Sequence, residues 1–235
     1  MPTLILLPGL ACDEGLWREI LPALHGATPR VRVNTSHTRH ASLGEMAAAL
    51  LAENPGPLHL AGCSMGGMLA LEVWRAAPQR VQGLALLGTT ARADTPELLA
   101  LRSQAIELFA AGRMEEVLRA NVLFAFHPLG AARAGLVEDY LAMIRRAGAR
   151  QLITQNRAVM ARADRRAELP QITCPVLVAC GEADQITPPE HAREMAAAMA
   201  HARLEIVPGA GHMLTMEQPA RVGALLQAWL AGLNR

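Results

Sequence analysis

The feature that most constrains this chain is a rhythm of short apolar runs that stop at glycine, with helical patterning between them. Residues 3–7 read Thr-Leu-Ile-Leu-Leu and end at Pro8-Gly9, and residues 81–87 form a similar run closed by Gly88. Runs of this kind suit strands buried on both faces. Further strands are expected at 57–63, 176–180 and 203–207, with a weaker one at 30–33. Helices are expected at 15–24, where Leu16, Ile20 and Leu24 share a face beside Trp17, and at 65–77, stopping before Pro78. Ser42 and Glu45 have capping-box spacing and open a helix running to about 53. Later helices are expected at 189–200 and 218–230. Strand and helix in regular alternation call for an α/β fold: a mostly parallel sheet of six strands with helices on both faces.

The alternation breaks once. Residues 91–168 carry only helical patterning, in stretches at 96–111, 113–123, 130–148 and 150–166, so an all-helical insertion is expected after the fourth strand. The core would then comprise residues 1–90 and 169–235. Hydrophobic residues make up 51% of the 235 and charged ones 18%, enough for a sizeable core. The net charge of +1 gives no reason to expect a nucleic acid or a membrane as partner. All 22 basic residues are Arg, which reads as a compositional bias of the coding sequence. There is no apolar run of transmembrane length and no basic leader before the first strand, so the expected location is cytoplasmic. The four cysteines, Cys12, Cys63, Cys174 and Cys180, form no CxxC pair. Cys174 and Cys180 would stand roughly 20 Å apart along a strand, too far for a disulfide. No His/Cys cluster has zinc spacing, and no metal or organic cofactor is expected.

The residues that carry chemistry begin at Gly62-Cys63-Ser64-Met65-Gly66, a G-x-S-x-G motif between an expected strand and an expected helix. A serine on so sharp a turn projects its hydroxyl above the sheet edge, and the flanking glycines remove Cβ atoms that would collide. The helix N-terminus beneath offers free N–H groups to a developing anion. Cys63 is expected to point to the other side of the turn and to be structural. A serine hydroxyl is a poor nucleophile without a base, and the base needs an orienting acid. Asp184, in Gly181-Glu182-Ala183-Asp184, and His212, in Gly209-Ala210-Gly211-His212, follow the fifth and sixth strands. Parallel strands bring those loops to the same edge as Ser64. His37 is a second candidate for the base, and Asp94 and Glu182 are further candidates for the acid. His25, His40, His59, His127, His191 and His201 sit where the pattern gives them no route to that edge.

Together with Leu6-Leu7-Pro8-Gly9-Leu10, these motifs resemble those of a small bacterial serine esterase of the α/β-hydrolase superfamily, and the resemblance spans essentially the whole chain. It implies the α/β-hydrolase fold with the helical insertion as a lid. It also implies a Ser64-His212-Asp184 triad and an oxyanion hole made by the backbone N–H groups of Leu10 and Met65. Two departures stand out. Pro8-Gly9 replaces the His-Gly of many relatives, and six strands are expected rather than the usual eight.

The expected activity is hydrolysis of a carboxylic ester or thioester of small-molecule size through an acyl-enzyme. Other readings remain open: a lactone or C–C hydrolase with the same triad, or a receptor-like protein that holds a ligand without turnover. All the Phe residues and the single Tyr, namely Phe109, Phe124, Phe126 and Tyr140, lie in the insertion. They could form its own core, or Phe109, Phe124 and Phe126 could join Met213 in lining a substrate pocket. The insertion also carries Arg145, Arg146, Arg150, Arg157, Arg162, Arg165 and Arg166. These read either as a solvated face or as a docking surface for an acyl-carrier protein, as in the similar carrier-protein methyl-ester esterases of biotin synthesis.

Overall fold

A computed structural model describes residues 2–27 and 30–233. Its elements run β1 (Thr3–Leu7), α1 (Leu21–Ala27), β2 (Val31–Val33), α2 (Leu43–Glu53), β3 (Leu58–Cys63), α3 (Met65–Ala76) and β4 (Val81–Leu87). Four helices follow without a strand: α4 (Pro96–Ala110), α5 (Met114–Ala125), α6 (Pro128–Ala131) and α7 (Leu136–Met160). The chain closes with β5 (Val176–Gly181), α8 (Pro189–Ala198), β6 (Ala202–Val207), α9 (Leu214–Glu217) and α10 (Pro219–Leu233).

The six strands pair in parallel in the order β2-β1-β3-β4-β5-β6. Successive side chains of a strand point to opposite faces, and β1 shows the consequence. Leu4 and Leu6 pack with Trp17, Ile20, Leu226 and Trp229 on one face. Ile5 and Leu7 pack with Met46, Leu50, Leu69 and Val73 on the other. All four β1 side chains are fully buried. Each such aliphatic side chain contributes about 1.5–3 kcal/mol relative to exposure, which is why the pattern is so legible. The chain leaves β1 toward β2 on one side and returns to β3 on the other. The loops that follow β1 and β3 therefore diverge and open a crevice at the carboxyl edge.

Several element boundaries differ from the sequence pattern for local reasons. The helix expected at 15–24 divides into a 3₁₀ turn, Glu14–Trp17, and α1. Pro22 has no N–H to donate back to Arg18, so one continuous helix cannot pass through it. The expected break between 148 and 150 is a kink inside α7, where Gly148 has φ 75° and ψ 170°. The stretch expected from 130 begins at 136, after Gly135 in the left-handed region at φ 80°. The short helix α9 has no counterpart in the sequence pattern. The capping box at Ser42 and Glu45 forms as expected, with both reciprocal bonds present. Among the described residues, no helix is long and apolar enough to cross a membrane.

Candidate active site

Ser64 stands between β3 and α3 with φ 55° and ψ −119°, a region that L-residues rarely occupy. The turn is held from several sides. The Ser64 N–H donates to the Leu87 carbonyl at 2.9 Å, and the Ser64 carbonyl accepts from the Thr89 hydroxyl at 2.7 Å. Gly62 and Gly66 permit the close approach: a Cβ on Gly62 would run into the Gly66 backbone, and one on Gly66 into the Leu7 carbonyl. Such a strained serine persists only where its surroundings overdetermine it.

The loops after β5 and β6 bring two further side chains into line with it. His212 Nε2 lies 2.9 Å from Ser64 Oγ, and His212 Nδ1 lies 2.9 Å from Asp184 Oδ2 and 3.0 Å from Oδ1. With Nδ1–H donating to the carboxylate, Nε2 is left to accept from the serine hydroxyl. Asp184 and His212 are both buried. Burial works against ionisation of Asp184, but the His212 ring and bonds from Thr187 prevail and hold its carboxyl below the usual range. The Ile186 and Thr187 N–H groups each donate to Asp184 Oδ1 at 2.9 Å, and the Thr187 hydroxyl donates to Oδ2 at 3.0 Å. Glu217, on α9, fixes the other loop by accepting the Gly211 N–H at 2.8 Å.

Leu10 and Met65 flank the same crevice. Among the described residues neither N–H has a hydrogen-bond partner, as expected for the first position of α3 in the case of Met65. Beside Ser64 and His212 opens a cavity of about 260 Å³. Its wall comes largely from the helices between β4 and β5, through Phe109, Val117, Tyr140 and Leu152, and Met213 also lines it. Phe124 and Phe126, expected in this pocket, do not line it. Phe124 is 50% exposed on the outer face of α5, whereas Phe126 is buried edge-to-face against Tyr140 at 5.2 Å. Helical periodicity fixed neither direction, because both residues sit at the C-terminal end of α5, where the chain turns.

The other sequence candidates lie elsewhere. His37 donates from Nε2 to the Cys12 carbonyl at 2.9 Å and makes no contact with Ser64. Asp94 is clamped between Arg102 and Arg162, at 2.7 Å from each. Glu182 accepts the Gly209 N–H at 2.6 Å. Burial of Cys63 raises its pKa well above the ordinary thiol value, so it stays a thiol. Of the seven arginines singled out between 145 and 166, five are ion-paired: Arg145 to Glu115, Arg146 to Asp13, Arg162 to Asp94, Arg165 to Glu72 and Arg166 to Asp164. Arg150 and Arg157 are exposed and, among the described residues, have no ion pair.

Two side chains important to the site were not anticipated. Gln155, on α7, is fully buried; it accepts the Ala11 N–H at 2.6 Å and donates to the His37 carbonyl at 2.8 Å. It ties the helical segment to the loop that presents Leu10. The signal was a polar residue three positions after Leu152 and four before Val159, on the buried stripe of its helix. Thr187, which braces Asp184, carried only a weak signal, a threonine three residues after an aspartate.

Comparison with known proteins agrees with this architecture. The sequence profile of the alpha/beta hydrolase family matches residues 4–225. A dihydrolipoyllysine-residue acetyltransferase component of an acetoin-cleaving system from Pseudomonas putida is 31% identical over 175 residues. The match covers 73% of this chain but only 45% of that protein, so the chain spans less than half of this relative's length. A pimeloyl-[acyl-carrier protein] methyl ester esterase from Nitrosomonas europaea is 28% identical over 90% of this chain and 88% of its own. Among solved structures, a thermophilic esterase from Thermogutta terrifontis superposes with a TM-score of 0.89 at 26% identity, covering 100% of this chain and 91% of that one. The chain belongs to the alpha/beta hydrolase family.

Proposed function

We propose that the chain hydrolyses carboxylic esters of small-molecule size through a serine acyl-enzyme, with Ser64 as nucleophile, His212 as general base and acid, and Asp184 as the carboxylate that orients the imidazole. The observation that carries this reading is the unbroken relay from Ser64 Oγ through His212 to Asp184, at 2.9 Å on each side of the ring. His212 Nε2 takes the hydroxyl proton as Ser64 Oγ attacks the carbonyl carbon. The oxyanion develops opposite the free N–H groups of Leu10 and Met65, and each such donor is worth about 2.7–4 kcal/mol in the transition state. His212 then returns the proton to the departing alkoxide. Water, deprotonated by His212, releases the acid and restores Ser64. The helices of residues 91–168 act as a lid, supported by the cavity wall they build opposite Ser64.

Five of the seven arginines singled out between 145 and 166 pair with this chain's own carboxylates, which does not favour those seven as a carrier-protein docking face. The printed names of the relatives support the ester bond, and the acyl-carrier protein methyl ester esterase among them keeps a carrier-borne ester as a second reading. The test is hydrolysis of a p-nitrophenyl ester series from acetate to long acyl chains, with Ser64→Ala and His212→Gln as controls. The expected result is turnover that falls by roughly 10³-fold or more in either variant. Full activity in folded Ser64→Ala would overturn the assignment.

A further inference from the structure

One charged side chain breaks the apolar lining of the cavity. Arg102, on α4, reaches its wall among Leu98, Leu101, Ala105 and Phe109, and it is the only lining residue with a permanent charge among those described. Its partners are few. Nε donates to Asp94 Oδ2 at 2.7 Å and Nη1 donates to Asn156 Oδ1 at 2.9 Å. Among the described residues, Nη2 has no acceptor.

Asp94 is not Arg102's alone. Its other oxygen accepts from Arg162 Nη2 at 2.7 Å, and the Asp94 carboxylate is almost wholly buried. Arg162 is otherwise satisfied by the Arg92 and Val159 carbonyls, at 2.9 and 2.8 Å. Two guanidiniums therefore share one carboxylate, and a surplus positive charge remains on the member that faces the cavity. Removing a charge from water is costly unless a counter-charge replaces the lost hydration. Burial duly holds the Arg102 pKa below the ordinary arginine value against the pull of Asp94. A brace between helices would need only a neutral pair. The free N–H donors of Nη2, on a residue that lines the same cavity as Ser64 and His212, are what an anionic group accepts from.

We infer that Arg102 receives a second anionic group of the substrate, so that the cavity takes hemi-esters of dicarboxylic acids: an apolar acyl chain with an ester at Ser64 and a carboxylate at Arg102. This rests on the ester-hydrolase reading above. The apolar residues between the two poles hold the methylene chain, and the chain length measures their separation.

The experiment compares kcat/KM for the mono-p-nitrophenyl esters of adipic and suberic acid with those for p-nitrophenyl hexanoate and octanoate. Ser64→Ala gives the background, including attack by the substrate's own carboxylate. Wild type is expected to favour the anionic partner of each pair by about tenfold or more, mainly through KM, and less at high salt. Arg102→Gln should bring that ratio to within about twofold of unity, and Arg102→Lys should restore part of it. No preference in wild type, or the same preference in Arg102→Gln, overturns the inference. Should Arg102→Gln fail to fold, inhibition of wild-type hexanoate hydrolysis decides the matter. Adipate should compete more strongly than adipamide, and equal potency refutes the role. Ser64-dependent hydrolysis of the neutral esters tests the ester-hydrolase reading separately, so the two cannot fail unnoticed together.

Discussion

Replacing Gln155 with leucine removes the two bonds that join the helical segment to the loop after β1. Leucine keeps much of the volume but can neither accept the Ala11 N–H nor donate to the His37 carbonyl, and both backbone groups lie in a buried place. An unsatisfied buried polar group costs about 1–3 kcal/mol, so two cost roughly 2–6 kcal/mol. Leucine's greater apolar character offsets part of this, and the expected net loss is about 2–4 kcal/mol. Ala11 adds a functional consequence. It sits at φ 56°, unusual for a residue with a Cβ, and its N–H bond is what retains it there. Leu10 directly precedes it, so relaxation of Ala11 misaims the Leu10 N–H and lowers kcat while leaving KM nearly unchanged. Urea denaturation gives the stability term, and steady-state kinetics on a p-nitrophenyl ester give the other. Gln227→Leu is the control, because that side chain is exposed and donates only to the Ala23 carbonyl; it should cost less than about 0.5 kcal/mol. Wild-type stability together with wild-type kcat in Gln155→Leu would refute the reasoning.

Further predictions concern the acid, the cavity wall and the thiols. Asp184→Asn should lower kcat by on the order of 10⁴-fold, since the imidazole loses its preferred tautomer. Because the folded-state pKa of Asp184 lies below 3.8, its stabilising contribution is complete above that value and lost as pH falls through the folded pKa. The Tm gap between wild type and Asp184→Asn should therefore be widest near neutral pH and close in acid. Phe109→Ala should cost about 3–5 kcal/mol and shift the preferred acyl chain to longer lengths. Phe124→Ser, on the exposed face, should leave chain-length preference unchanged, and a shift there would place Phe124 in the pocket after all. Ellman's reagent at mildly alkaline pH should label half-buried Cys174 slowly, since burial pushes its thiol up to about 11. Buried Cys12, pushed up to about 12, and Cys63 should react only on unfolding. Rapid labelling of Cys63 in the folded protein would contradict the packing of the turn.

The order of strands and helices was legible because each signal is local. Residues 3–7 carry their own two-sided burial, Ser42 and Glu45 carry their own cap, and Gly148 breaks its helix within one turn. The serine turn was legible for the same reason. Gly62, Ser64 and Gly66 fall within five residues, and the clash that makes glycine obligatory arises between them and the adjacent β1. Asp184 and His212 were legible at one remove: a parallel sheet sends the ends of β5 and β6 to the edge that holds Ser64, so position along the chain implies position in space.

Side-chain partners obey no such rule. Arg162 meets Asp94, 68 residues away, and Arg165 meets Glu72, 93 away. A sequence therefore shows a run of arginines without the carboxylates that neutralise them. Phe109 and Phe126 both became buried, but only one faces the cavity, and the choice was made by the orientation of α4 and α5 on the core. Gln155 marks the boundary between the two kinds of information. Its place on an apolar stripe signals a buried polar group that must find partners, a local inference. That those partners are Ala11 and His37 is a property of the fold, since α7 must first be brought beside the loops that follow β1 and β2. Arg102 belongs to the same class. On a helix face it is one arginine among 22, and it becomes distinctive only when Asp94 is already shared and the remaining donors open onto the cavity beside Ser64.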